Sequence, residues 1–216
     1  MNSLPPHLVA RPAPVSRGVL HRLRTIGTLP AAILRNVWCA RRLRSFPVAR
    51  FGEFRVEPLA AGTLVAMARL YERLNHRPFA PDKRLLLAML GSKLALVVRN
   101  EASGKVVGLA YYYFNARDRM EGTIHVGYSG VAEDVRGCGL GTFMRRHALA
   151  NFAASGLGGV SSRISASNGA SRRVNEKLGF IIVETYFDDE LKELRHYMVC
   201  DLNKLRNKFP NGTNQD

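Results

Sequence analysis

The first fifty residues of this 216-residue chain contain no aspartate, no glutamate and no lysine. They do contain nine arginines: Arg11, Arg17, Arg22, Arg24, Arg35, Arg41, Arg42, Arg44 and Arg50. The whole chain has 32 basic and 17 acidic residues, a formal net charge of +15. Nine of those charges belong to the arm and six to the remainder. A basic arm on a mildly basic domain differs from a uniformly basic nucleic-acid binder, and no nucleic-acid recognition motif accompanies it. Cysteine is also scarce. Cys39, Cys138 and Cys200 lie far apart with no C-x-x-C pair, which excludes a disulfide scaffold and gives no metal-ligand spacing. A reducing compartment, the cytoplasm, is the simplest expectation. No apolar run of spanning length is present. Pro5, Pro6, Pro12 and Pro14 interrupt the region where a secretory signal would need its apolar core.

What is present fits one globular domain: 46% hydrophobic and 23% charged residues, in a chain long enough to bury a core unaided. Residues 1–17 are proline-rich and read as disordered. Residues 18–45 interleave Leu20, Leu23, Ile26, Ile33, Leu34, Val37, Trp38 and Leu43 with arginine, the pattern of one or two amphipathic helices broken near Pro30. Three readings of this arm stay open: a surface that lies on anionic lipid, an organellar transit segment, or, more simply, either a solvated arm or an extra helix packed on the domain's flank. The division is therefore 1–50 arm, 51–203 domain and 204–216 polar tail.

From Phe51 the periodicities become regular. They predict a strand at 54–59, helices at 63–74 and 81–90, and strands at 93–99, 106–114 and 123–131. A helix follows at 139–154, then a strand at 160–165, a short helix from Asn168 to Lys177, and strands at 180–186 and 195–201. This is a mixed α/β domain.

Two stretches carry chemistry. Arg136-Gly137-Cys138-Gly139-Leu140-Gly141-Thr142 joins a strand to a helix. Glycines let the backbone turn sharply and approach a ligand. Successive N–H groups at a helix start favour an anion, and Arg136 adds charge-assisted hydrogen bonds. The spacing fits neither a Walker loop nor a dinucleotide fingerprint. A glycine turn that only packs a helix on a sheet gives the same local pattern. The second stretch, Ser167-Asn168-Gly169-Ala170-Ser171 through Lys177-Leu178-Gly179-Phe180, lies about thirty residues on.

Together the two stretches resemble the GNAT superfamily of N-acetyltransferases, which pairs Arg/Gln-x-x-Gly-x-Gly/Ala with a later Asn-led helix ending in Lys-x-Gly-Phe. Arg136, Gly139 and Gly141 match the first motif. Asn168, Ser171, Lys177, Gly179 and Phe180 match the second. The resemblance implies a splayed, mixed, mostly antiparallel sheet flanked by helices, with the basic helical arm added in front. It implies acetyl-CoA or another acyl-CoA as co-substrate, no metal, and direct transfer to a primary amine. The loop Arg136, Gly137, Cys138, Gly139, Leu140, Gly141, Thr142 would hold the pyrophosphate. Asn168 would hydrogen-bond the pantetheine or adjacent backbone, Ser171 would belong to the same cofactor site, and the N–H at or near Val131 would polarise the thioester carbonyl.

The amine must lose a proton, and Glu133, His125 and Glu121 are the candidate bases, with ordered water as the alternative. The position that often holds an acidic tyrosine in the family is Asn175, which can hydrogen-bond a thiolate but protonates poorly. Tyr128, Tyr186 or water would substitute. Tyr111, Tyr112, Tyr113 and Phe114 could line an acceptor pocket or serve as ordinary sheet packing. A small amine, an amino sugar and a protein amine all remain open as acceptor, as do a homodimer and a peripheral place on a membrane. A non-catalytic acyl-CoA-binding or membrane-surface module on the same fold is the alternative function.

Overall fold

The computed structural model describes residues 25–204. The proline-rich stretch 1–17 and most of the polar tail lie outside the described residues. The elements are α1 (Thr25–Ala40), β1 (Ala49–Phe51), β2 (Phe54–Pro58), α2 (Leu64–Asn75), α3 (Pro81–Leu94), β3 (Ala95–Asn100), β4 (Val106–Tyr113), α4 (Ala116–Glu121), β5 (Thr123–Val131), α5 (Leu140–Ala154), β6 (Gly159–Ser165), α6 (Gly169–Lys177), β7 (Phe180–Asp188) and β8 (Glu193–Asp201). The strands form one sheet in the order β1-β2-β3-β4-β5-β6-β8-β7. Every pairing is antiparallel except β5 with β6. This is the splayed mixed sheet expected from the sequence.

The centre of the sheet is its most apolar part. Leu96, Val97 and Val98 of β3 and Leu109 and Ala110 of β4 are fully enclosed, because helices cover both faces and leave no solvated side for alternation. On one face α5 contributes Met144, Ala148 and Phe152 to the core. Phe152 packs edge-on against Tyr112 (4.8 Å) and Phe46 (5.3 Å). Truncating Phe152 to alanine would cost about 3–5 kcal/mol by opening a cavity there. Helices α2, α3 and α4 cover the other face, with Lys83 of α3 over the Tyr113 ring at 4.3 Å.

Two expectations change here. The predicted break near Pro30 is absent: α1 runs unbroken through it. Pro30 lies early in the second turn, where a missing N–H removes one intrahelical bond without ending the helix. The boundary drawn at residue 51 also falls inside the packed body. Ala40, Leu43 and Phe46 are buried in the same core as the sheet, and β1 already pairs from Ala49. Asn36 anchors α1, accepting from the Phe114 N–H (2.7 Å) and donating to the Phe114 carbonyl (3.1 Å).

The short helix α4 is not among the elements that periodicity predicts. Its start is nevertheless written in the sequence. Asn115 and Asp118 form a reciprocal capping box, and Gly122 closes the helix in the left-handed region.

Candidate active site

The site follows from how β5 is paired along its length. On the β6 side only three residues are matched, Thr123, Ile124 and His125 with Gly159, Val160 and Ser161. Strand β5 then continues to Val131 against β4 alone, so the two parallel strands part and leave a V-shaped gap. The β4–β5 register shifts between Tyr111 and Tyr112, which leaves Gly127 as the extra residue of a bulge. A Cβ on Gly127 would run into the Tyr111 ring, so only glycine fits here without displacing that side chain.

Past the bulge, N–H groups alternate in direction along the strand. The Ala132 N–H bonds the Val107 carbonyl on β4 (2.7 Å). The N–H groups of Val131 and Ser129 therefore point the other way, into the gap.

The glycine loop sits at the open end of that gap. Glu133 to Val135 form a single 3-10 turn, Arg136 is extended, and α5 begins at Leu140. Gly137 (φ 84°) and Gly139 (φ 90°) both occupy the left-handed region that other residues avoid. The first N–H donors of α5, on Leu140, Gly141 and Thr142, have no acceptor within the helix. They form a cluster suited to an anion. Arg136 is exposed and pairs with Glu133 (3.3 Å). Cys138 is exposed, and its thiol donates to the Val135 carbonyl.

The other sequence candidates scatter. Glu133 stands in solvent at the loop end, ion-paired to Arg136. His125 lies at the closed vertex, where β5 and β6 still pair, and is only 4% exposed. Its Nδ1 meets Ser161 Oγ at 2.7 Å. Ser161 Oγ in turn donates to Asp118 Oδ1 (2.6 Å), which also accepts from Thr123 Oγ1 (2.7 Å). Because the Ser161 proton is committed to Asp118, the His125 ring donates through Nδ1. Burial, with Arg163, Arg195 and Lys83 adding to it, lowers the His125 pKa to about 3. Such a ring is neutral and weakly basic. Glu121 ends α4 and is held by Arg117 (2.7 Å) and by the Tyr197 hydroxyl. His125 thus sits where β5 and β6 still pair, Glu121 on α4, and Glu133 on the loop that follows β5.

Asn168 caps α6, accepting the Ser171 N–H at 3.0 Å, so these two residues are partners of each other. Tyr112 and Phe114 belong to the core. Tyr111 joins an aromatic cluster with Tyr71, Phe79 and Tyr128, with centroids 5.0 to 6.2 Å apart. Burial raises the Tyr128 phenol, which therefore keeps its proton at neutral pH. Tyr186 packs instead on the outer Tyr197–Val199 cluster.

Asn175 is nearly fully enclosed, and its carbonyl accepts from Arg145 at 2.6 Å. Arg145, on α5, also donates from Nε to Ser129 Oγ (3.2 Å). It thus links β5 to α6 beneath the gap. Sequence reasoning missed it.

The Acetyltransferase (GNAT) family matches residues 64–180. Among solved structures, the ribosomal-protein-S18-alanine N-acetyltransferase of Escherichia coli is 19% identical, with a TM-score of 0.56 over 69% of this chain and 94% of that one. The ribosomal-protein-S5-alanine acetyltransferase of Vibrio fischeri is 17% identical, with a TM-score of 0.60 over 73% and 97%. The yncA protein of Salmonella typhimurium, solved with its cofactor acetyl-CoA, is 20% identical, with a TM-score of 0.58 over 69% and 94%. No curated protein matches the chain. The family match spans more than half of the sequence and includes both the glycine loop and α6, and on that basis this protein belongs to the GNAT family of acetyltransferases.

Proposed function

We propose that the protein transfers an acetyl group from acetyl-CoA to a primary amine by direct attack. The observation that carries this reading is the parting of β5 from β6 immediately before a glycine loop that opens α5 with no side-chain cap on its first N–H groups. The residues present suit an acyl-CoA. The loop from Arg136 to Thr142 would take the pyrophosphate, and the inward N–H of Val131 would pair with the pantetheine arm. The inward N–H of Ser129 would hydrogen-bond the thioester oxygen as charge develops on it. Holding amine and thioester in line supplies much of the rate.

With His125 enclosed and Glu133 ion-paired at the loop, the amine's proton is best passed to solvent on the acceptor side, beside Tyr111 and Tyr128. Those aromatic walls favour an acceptor whose amine sits on an apolar or peptide stem. Two of the compared proteins are named for acting on ribosomal-protein alanine, so alanine-ended peptides belong in the first acceptor panel.

The test is calorimetry with acetyl-CoA followed by thiol release across amines, amino sugars and peptides. Saturable binding with turnover on one class is expected. Binding without turnover on any would favour the non-catalytic module, and no binding of any acyl-CoA would refute both.

A second reading concerns α1. Its outward stripe is apolar: Leu34 is 68% and Trp38 64% exposed, and Arg41 stacks on Trp38 at 4.2 Å. The helix itself has no acid. An apolar stripe rimmed by arginine fits the surface of an anionic bilayer, with the tryptophan at headgroup level. Among the described residues no helix is long and apolar enough to cross a membrane. Vesicles of neutral and anionic lipid, with the full chain and its Trp38→Ala variant, test this directly. Equal failure to bind either kind of vesicle would refute it.

A further inference from the structure

Buried cations are ordinarily neutralised by a carboxylate, because an uncompensated charge in a low-dielectric site is costly. Arg145 departs from that rule. Its guanidinium is largely buried between α5, α6 and the sheet, and its side-chain partners are the neutral oxygens of Ser129 and Asn175. Among the described residues no carboxylate forms an ion pair with it. The titratable groups around it are the phenols of Tyr112 on β4 and Tyr128 on β5, and burial lowers its own pKa. Arg145 and Asn175 line a small cleft with Val126 and Val160. Val126 is the first residue of β5 beyond the last β5–β6 pair. The unbalanced charge therefore sits at the floor of the gap, beside Ser129, one of the two residues whose N–H points into it.

We propose that Arg145 stabilises the thiolate that leaves when the thioester breaks, taking the place of a dedicated proton donor. This rests on the acyl-CoA reading above. In the step, the amine lone pair forms a C–N bond to the thioester carbon and the carbonyl π pair moves to oxygen. As the carbonyl re-forms, the C–S bond breaks and its electron pair stays on sulfur. The amine's proton goes to solvent. The products are an amide, a CoA thiolate and a proton. No group on the protein has to protonate sulfur if a fixed positive charge faces it. Asn175 is then a positioning residue, since its carbonyl holds one guanidinium nitrogen and fixes Arg145 against the gap. The site needs charge at this position only in the transition state and product, which is where preorganised electrostatics are most effective.

The experiment is a pH titration of the CoA thiol bound to the full chain, followed by the ultraviolet absorbance of the thiolate, with desulfo-CoA as the blank. Bound CoA should ionise at least about one pH unit below free CoA, the direction a nearby cation imposes. Arg145→Gln should return it to the free value, while Arg145→Lys, which keeps the charge, should retain part of the shift. Desulfo-CoA should bind the wild type and R145Q within about twofold of each other, since it has no sulfur for the charge to act on. R145M supplies the neutral comparison should the glutamine variant fold poorly. An unshifted thiol in the wild type overturns the proposal without any variant, and so does a shift that survives in R145Q or R145M. A chain that binds neither CoA nor desulfo-CoA refutes the acyl-CoA reading itself, which is a different outcome.

Discussion

Strand β5 passes two enclosed polar clusters with opposite electrostatics. At the closed vertex, Asp118, Thr123, Ser161 and His125 satisfy one another in a chain of short hydrogen bonds. In the parted section, Arg145 bridges Ser129 and Asn175, with no carboxylate among the described residues paired to it. Both clusters lie between the same strand and a neighbouring helix. The first is complete in itself and holds the fold. The second is also complete in hydrogen bonds, but its positive charge lies beside the parted section of β5, where an anionic partner can meet it. Burial, polarity and net charge do not separate structural from functional residues here, since the Asp118 carboxylate also stands among neutral groups; position does, the first cluster lying where β5 and β6 still pair and the second beside the section where they have parted.

The largest effect should come from breaking the closed cluster. Asp118 is fully enclosed. It accepts from Thr123 and Ser161 and closes the α4 capping box by accepting the Asn115 N–H at 3.2 Å. Asp118→Ala strands two buried hydroxyls and a backbone donor, and should destabilise the domain by about 3 kcal/mol or more. Denaturant unfolding measures it, and a loss below about 1 kcal/mol would show that the cluster is not what holds α4 to β5 and β6.

Breaking the open cluster should act on rate more than on folding. R145Q should lower kcat on the order of a hundredfold while the KM for acetyl-CoA moves little, because the charge is used after the ground state. Its unfolding midpoint should stay near that of the wild type. A variant that loses stability but keeps kcat would place Arg145 with Asp118, as a structural group.

How these clusters relate to the sequence is uneven. The glycine loop is readable because Gly137 and Gly139 take backbone angles only glycine tolerates well, so chemistry and residue type coincide there. The order of the larger elements follows from apolar spacing. The helix α4 escapes such a reading because six mostly polar residues carry no periodicity, although the Asn115–Asp118 box marks its start. His125 reads as a site residue because alternation along β5 tells which face a residue takes, not where β6 stops pairing. Arg145 is invisible for a related reason. Next to Arg146 it reads as a solvated pair on an amphipathic helix, and only the parting of two strands far apart in sequence gives its guanidinium an enclosed place to go.

The His125 assignment can be sharpened with pH. Its folded pKa, near 3, lies below the ordinary 6.5. Between those values the unfolded chain binds a proton that the folded chain does not, so the folded state loses stability as pH falls below about 6.5. From pH 7 to pH 5 the wild type should lose up to about 2 kcal/mol more than His125→Gln. Denaturant melts at the two pH values test it. A base at the active site would instead make H125Q erase the acidic limb of the rate profile, and that limb is expected to remain.

The smallest effect concerns the second arginine of the site and uses salt to set it against the first. Arg136 is exposed, and its surface pair with Glu133 adds little to folding. Arg136→Ala should therefore leave the melting temperature unchanged and weaken acetyl-CoA binding by about tenfold, the loss of one charge-assisted contact to phosphate. Because that charge stands in solvent, ions screen it over about 8–10 Å at ordinary ionic strength and over a shorter range as salt rises. At about 0.5 M salt the wild type and R136A should bind acetyl-CoA almost equally. The thiol shift that depends on Arg145 should persist under the same conditions, since an enclosed charge is screened much less. If both effects faded together, the two arginines would share one solvated environment, and the distinction between the open loop and the enclosed floor of the gap would fail.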